Sequence, residues 1–339
     1  MMIRALALST LFLLPSFGAP CVTDTPECTE KITLGNNWRW SLIYRSHPLK
    51  TRNPQIRRAL IMVHGQGRNA DGYFKTAVAA AFLAGALEDT IVISPRIASR
   101  DGSCRDTLAE GEISYSCSGN SWRSGAAARD PKTVTSYDFA DEILRHLANK
   151  EVFPNLKSVV AAGHSAGGQY MARYAMANKV HEQLGLAVHY VVANPSSYPY
   201  LDSTRLSSSA KCTTEGCNGK FTEYSEGRNC TTYNKWPYGL ELREGYTASM
   251  TAEVLKRQLA SRPVTYMLGE LDNLPIGGFD SSCPAMAQGP SRFDRGLAYL
   301  NYVKEKIQAK HNVVPISLCG HNARCIFTAD AALPVLFPK

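Results

Sequence analysis

Long apolar runs are scarce in this chain of 339 residues. After residue 20 no stretch is apolar for long enough to cross a bilayer, which excludes a membrane-spanning helix from that part. Basic tracts are missing as well. The 37 Lys and Arg outnumber the 29 Asp and Glu, for a net charge of +8, but they are scattered, with no stripe interleaved with aromatics. A nucleic-acid partner therefore has no footprint, and a charge of this size bears on encounter rather than on fold or chemistry. The ten cysteines form no C-x-x-C pair, and no His cluster shares a spacing with them, which weakens a metal reading, and the chemistry read below needs neither a metal nor an organic cofactor. Internal repeats and low-complexity tracts are also lacking. The length then suits one large α/β domain at least as well as two small ones.

The chain opens on an export pattern. Arg4 supplies a positive n-region, residues 5–14 an apolar core, and Ser16, Gly18 and Ala19 the small residues of a peptidase site. The expectation is a cleaved signal over residues 1–19, a secreted or periplasmic protein, and no membrane insertion afterwards. All ten cysteines follow that signal. An even count in an exported chain implies disulfides. Spacing leaves their connectivity open; Cys104–Cys117 and Cys319–Cys325 are the close candidates.

Short apolar runs recur, each closed by Gly, Pro or Cys. They lie at residues 58–63, 90–94, 158–162, 187–193, 264–268 and 313–318, with a further opening strand at 38–44. Runs of that kind suit strands buried on both faces. Helical periodicity fills the gaps, as in Phe139, Ile143 and Leu147, or Leu300, Val303 and Ile307. The expected fold is α/β: a mostly parallel central sheet with helices on both faces. Two long stretches break the alternation, residues 98–132 and 196–246. The second, with three cysteines, reads as a disulfide-stapled loop or cap inserted into a single domain spanning 20–339.

The most informative segment is S-V-V-A-A-G-H-S-A-G-G, residues 158–168, where G-x-S-x-G follows a strand and opens a helix. A turn this sharp needs small residues two before and two after the Ser, and it lifts the hydroxyl of Ser165 off the end of the sheet at a helix N-terminus. A Ser hydroxyl needs a base to become nucleophilic. Four His follow it. His181 is expected in the helix after the turn, His189 packed inside a strand, and His311 at the end of a charged helix. His321 follows the final strand and is the candidate base. Asp272, after the strand at 264–268, is the candidate acid, with Glu270 and Asp280 as rivals. The N–H groups of Ala166 and of Gln66, in the His64-Gly65-Gln66-Gly67 turn, are candidates to hold an oxyanion. His64 is expected to pack and hold that turn.

With His64-Gly65, Gly163 to Gly167, Asp272 and His321 in this order, the chain resembles the α/β-hydrolase superfamily over essentially its whole mature length. Its export signal, the Ser-Ala-Gly-Gly run and Trp122-Arg123-Ser124-Gly125 are similar to the secreted polyester depolymerase and feruloyl esterase group. The resemblance implies two-step acyl transfer at Ser165, with His321 as general base and Asp272 orienting it, on a small-molecule or polymeric carboxylic ester. An amide or peptide hydrolase on the same residues, and a non-catalytic binding protein of the same fold, are the alternatives.

Overall fold

The computed structural model describes residues 18–35, 38–118 and 121–339, so residues 1–17 of the expected signal lie outside the described residues. Among the described residues, ten strands come in chain order. β1 is Thr29–Thr33, β2 Trp40–Arg45, β3 Arg58–Val63, β4 Thr90–Pro95 and β5 Ser158–His164. β6 is Ala187–Ala193, β7 Thr204–Leu206, β8 Phe221–Glu223, β9 Val264–Gly269 and β10 Asn312–Ile316. Eight of them form one sheet in the order β1-β2-β4-β3-β5-β6-β9-β10. β1 and β2 run antiparallel at one edge, and every other pairing beyond β2–β4 is parallel. The fold is thus the expected mostly parallel α/β sheet.

The unbroken apolar runs split by side-chain alternation, because successive residues of a strand point to opposite faces. Ala59, Ile61 and Val63 of β3 enter one core, with Val188, Tyr190 and Val192 of β6. Leu60 and Met62 enter the other, with Val191 and Ala193. The first core is roofed by α2 (Ser136–Ala148), α3 (Ala166–Ala177), α4 (Ala252–Ser261) and α6 (Arg292–Lys306). The second is roofed by α1 (Ala70–Leu83), α7 (Ala323–Thr328) and α8 (Leu333–Leu336). Each fully buried Val, Leu or Ile adds roughly 1.5–3 kcal/mol to the stability of this packing.

The topology also fixes where a ligand can sit. From β3 the chain crosses through α1 to β4 and later returns to the other side of β3 as β5. The crossovers part at β3 and β5 and leave a crevice beyond their carboxyl ends. The loop after β3 and the turn after β5 meet there.

Five disulfides join the ten cysteines, and three of them involve the long loops. Cys104–Cys117 and Cys319–Cys325 are joined, together with Cys21–Cys28, Cys212–Cys217 and Cys230–Cys283. Residues 196–246 contain the small antiparallel β7–β8 sheet, and Cys230 ties them to α5 (Cys283–Met286). No helix among the described residues is long and apolar enough to cross a membrane.

Several local expectations need correction. The first strand paired in the sheet is β1, which the sequence reading left out; it fully buries only Ile32, so its pattern carries little signal. The strand expected at 38–44 begins at Trp40. The last strand stops at Ile316, because Leu318 turns into the left-handed region at φ 61° ahead of the Cys319–Cys325 bridge. His181 is not in the helix after the Ser165 turn. That helix ends at Ala177, where the Asn178 side chain accepts the N–H groups of Val180 and His181 at 2.7 and 2.9 Å and draws the backbone out of the helix. His189 does lie in a strand, but half-buried rather than in the core. His311 lies beyond the end of α6, buried between the Tyr266 hydroxyl and the Leu259 carbonyl, each at 2.9 Å.

Candidate active site

Ser165 stands between β5 and α3 with φ 59° and ψ −117°, a conformation that costs a non-glycine residue energy and persists only when its surroundings enforce it. They do so by contact. A Cβ on Gly163 would stand 2.2 Å from the Gly167 carbonyl oxygen, and one on Gly167 2.3 Å from that of Val63. The helix start is therefore pressed against both strands, as only glycine allows. The Ser165 N–H donates to the Ala193 carbonyl at 2.9 Å and pins the turn to β6.

The structure brings three of the candidate residues into one line. His321 Nε2 lies 2.9 Å from Ser165 Oγ, and His321 Nδ1 lies 2.7 Å from Asp272 Oδ2. A carboxylate only accepts, so Nδ1 donates to Asp272, and Nε2 is left to accept from the Ser165 hydroxyl. Asp272 is 1% exposed and the His321 side chain 8%. The rivals stand elsewhere: Glu270 points to solvent, and Asp280 accepts from Tyr238 and Ser282.

Arg292, at the first turn of α6, completes the group from below. It is fully buried and donates from Nε to Ser196 Oγ at 2.7 Å, from Nη1 to the Ile276 carbonyl at 2.9 Å, and from Nη2 to the Gly277 carbonyl at 2.9 Å. Nη1 also reaches Asp272 Oδ1 at 3.3 Å. One guanidinium thus pairs with the free carboxylate oxygen and holds the loop that carries it. Burial pulls the Arg292 pKa below the ordinary guanidinium value, and Asp272 opposes that. Sequence reasoning missed this residue, since an Arg in the first turn of an amphipathic helix reads as a solvated charge.

The loop after β3 supplies the opposite wall. His64 is fully buried; its Nδ1 lies 2.9 Å from the Gly65 carbonyl, and its Nε2 accepts the Ile97 N–H at 3.1 Å. Burial pulls its pKa down to about 4, so it stays neutral with both ring nitrogens engaged. Gln66 and Ala166 both border the Ser165 turn, and among the described residues neither N–H has an acceptor within the chain. His164 was not singled out in the sequence as a site residue. It is buried under His321, ring centroids 4.7 Å apart, with Nδ1 3.2 Å from the Tyr73 hydroxyl. Burial, then His321 and Arg292, hold its pKa well below the imidazole range, so an uncharged ring lies beneath the candidate base.

These walls enclose a cleft of about 550 Å³ that contains Ser165, His321, Gln66 and Tyr73. Leu271, Leu274 and Ile276 on the Asp272 loop and Leu318, three residues before His321, are exposed apolar side chains. Among the described residues no group of three or more His, Cys, Asp or Glu side chains is placed to hold a metal ion.

Residues 60–331 match the sequence profile of the alpha/beta hydrolase family. No curated protein matches the chain. Among solved structures, the LpqC poly(3-hydroxybutyrate) depolymerase from Bordetella parapertussis is 20% identical, with a TM-score of 0.58, over 88% of this chain and 84% of its own. Poly(aspartic acid) hydrolase-1 from Sphingomonas sp. KT-1 is also 20% identical, with a TM-score of 0.59, over 88% of this chain and 95% of its own.

Proposed function

The chain belongs to the alpha/beta hydrolase family, and on that premise we propose that it is an exported serine hydrolase that cleaves carboxylic esters through Ser165, His321 and Asp272. The observation that carries this reading is the continuous hydrogen-bonded line from Asp272 through His321 to Ser165, on a strained turn at the carboxyl end of the sheet. Ser165 Oγ attacks the ester carbonyl while His321 Nε2 takes its proton, and Asp272 stabilises the imidazolium. The tetrahedral oxyanion is held by the Gln66 and Ala166 N–H groups. Collapse expels the alcohol, which takes the proton from His321, and leaves an acyl group on Ser165. Water, deprotonated by His321, releases the acid and restores the hydroxyl.

The substrate in this reading is a small or polymeric ester. Exposed apolar side chains on the loops that carry Asp272 and His321 support contact with an apolar chain, and the structural likeness to a polyester depolymerase agrees with it. The five disulfides support export, since such bonds persist outside the reducing cytoplasm. Hydrolysis of p-nitrophenyl butyrate by the wild type and by Ser165→Ala tests the proposal. Turnover that falls by about three orders of magnitude or more in the variant supports it. Equal turnover in both removes Ser165 from the mechanism.

A further inference from the structure

A second cavity, of about 400 Å³, is lined by Gln169 and Arg173 of α3, by residues 232 and 235–238, and by Asp280, Ser282 and Pro284. Arg123, Arg173 and Lys235 face it, and Asp280 is the one carboxylate in its lining. Both Asp280 oxygens are engaged: Oδ1 accepts from the Ser282 N–H and hydroxyl at 3.0 and 2.6 Å, and Oδ2 from the Tyr238 hydroxyl at 2.7 Å.

Arg173 is the anomaly. It is 1% exposed, and its donors reach only the carbonyls of Pro237, Gln169 and Ser197 and the Ser197 hydroxyl. The other large buried arginines have stronger company. Arg262 meets Glu182, Arg292 meets Asp272, and Arg205 and Arg295 lie on aromatic faces. Among the described residues Arg173 has neither a carboxylate nor a ring face. Burying a charge without a counter-charge is costly. Burial pulls its pKa down to about 10, which leaves it cationic at neutral pH. The half-buried Arg123 reaches only Ser121 and Gln169, and Lys235 has no side-chain partner among the described residues. The cavity is therefore a partly desolvated pocket with excess positive charge.

It shares no lining residue with the catalytic cleft, but two elements serve both. Gln169 of α3 lines it four residues after Ser165, about 6 Å along the helix axis. The loop that lends Gly277 and Gly278 to the cleft lends Asp280 and Ser282 to this cavity. Trp236, Pro237 and Pro284 give it an apolar side that suits a carbon chain. We propose that this cavity is an anion subsite, which receives a carboxylate borne a few carbons from the ester bond cleaved at Ser165. The forked guanidinium of Arg123 matches the two carboxylate oxygens, and Lys235 adds a mobile charge. The substrate class is then the acidic ester, and this inference rests on the serine-hydrolase reading.

The test compares p-nitrophenyl hydrogen adipate with p-nitrophenyl hexanoate, which share leaving group and chain length and differ in the terminal group. In the wild type at low salt, kcat/KM for the acidic ester should exceed that for the neutral one by about tenfold, the size of one charge-assisted hydrogen bond. The ratio should fall toward one in Lys235→Gln and in Arg123→Gln, and should return in Lys235→Arg. A wild-type ratio of one or less, or a ratio that survives both substitutions, overturns the subsite. Calorimetric titration with glutarate reads the same site without turnover. Binding to the wild type that is lost in the Arg123→Gln/Lys235→Gln double variant supports it, whereas equal binding or none overturns it. Intact glutarate binding with no turnover of either ester would instead overturn the hydrolase reading, and with it the substrate role of the site.

Discussion

Replacing Arg292 with Met asks whether the residue beneath Asp272 holds the site together. The substitution keeps an unbranched side chain of comparable length but deletes the donors to Ser196, Ile276, Gly277 and Asp272. It leaves a carboxylate that is 1% exposed with the His321 N–H as its remaining side-chain hydrogen-bond donor. Removing one member of a buried ion pair costs about 3–5 kcal/mol. At roughly 2–4 °C per kcal/mol, the thermal midpoint should fall by about 10 °C. The catalytic loss has a separate origin. The Asp272 loop would lose its anchors at Ile276 and Gly277, and a displacement of about 1 Å at a reacting group can cost a hundredfold in rate. Turnover of p-nitrophenyl butyrate should drop by about that factor with little change in KM, since Arg292 lies beneath the cleft. Arg292→Lys should recover part of the stability and little of the rate, because an ammonium cannot serve acceptors in such different directions. Thermal unfolding and steady-state kinetics on the three proteins decide the matter. A Met variant with an unchanged midpoint and kcat within about threefold of wild type would refute the reasoning.

Other expectations follow from the same contacts. Asp272→Asn should lower kcat less than His321→Ala does, because it misorients the base without removing it, and the loss in Ser165→Ala/His321→Ala should fall far short of the product of the two single losses. Replacing Cys319 and Cys325 with Ala together removes the short bridge flanking His321; urea titration should show a loss of about 2 kcal/mol, and kinetics a fall in kcat rather than a rise in KM. Buried His64 and His311 have pKa values held at about 4, below the unfolded value of 6.5. The unfolded chain binds more protons between those values, so stability is full above pH 6.5 and is lost as pH falls toward 4, by about 2–3 kcal/mol per imidazole at pH 4.5. Equal urea midpoints at pH 7 and 4.5 would contradict that assignment.

What the sequence made legible was local. The buried strands announced themselves because a sheet covered on both faces needs unbroken apolar runs, and 58–63 and 187–193 coincide with β3 and β6. The Ser165 turn was legible because only glycine fits where Gly163 and Gly167 meet backbone. The long-range partners were not. Arg292 reaches Asp272 from a helix whose charges have the spacing of a solvated face, and Arg173 is buried by residues 196–246, whose path no periodicity marks. His181 was placed in the wrong element because a single side chain, Asn178, ends α3 before it. Apolar pattern records which side of an element is buried, but not which polar group on another element will meet it.

The central claim is that Ser165 is a nucleophile activated by His321. Its most direct test is labelling with a fluorophosphonate, which bonds covalently to an activated serine, followed by peptide mapping of the wild type, Ser165→Ala and His321→Ala. The account predicts one adduct in the wild type, on the peptide that contains Gly163 to Gly168, no adduct in Ser165→Ala and greatly slowed labelling in His321→Ala. An adduct on another residue, or labelling of Ser165→Ala at the wild-type rate, would contradict it.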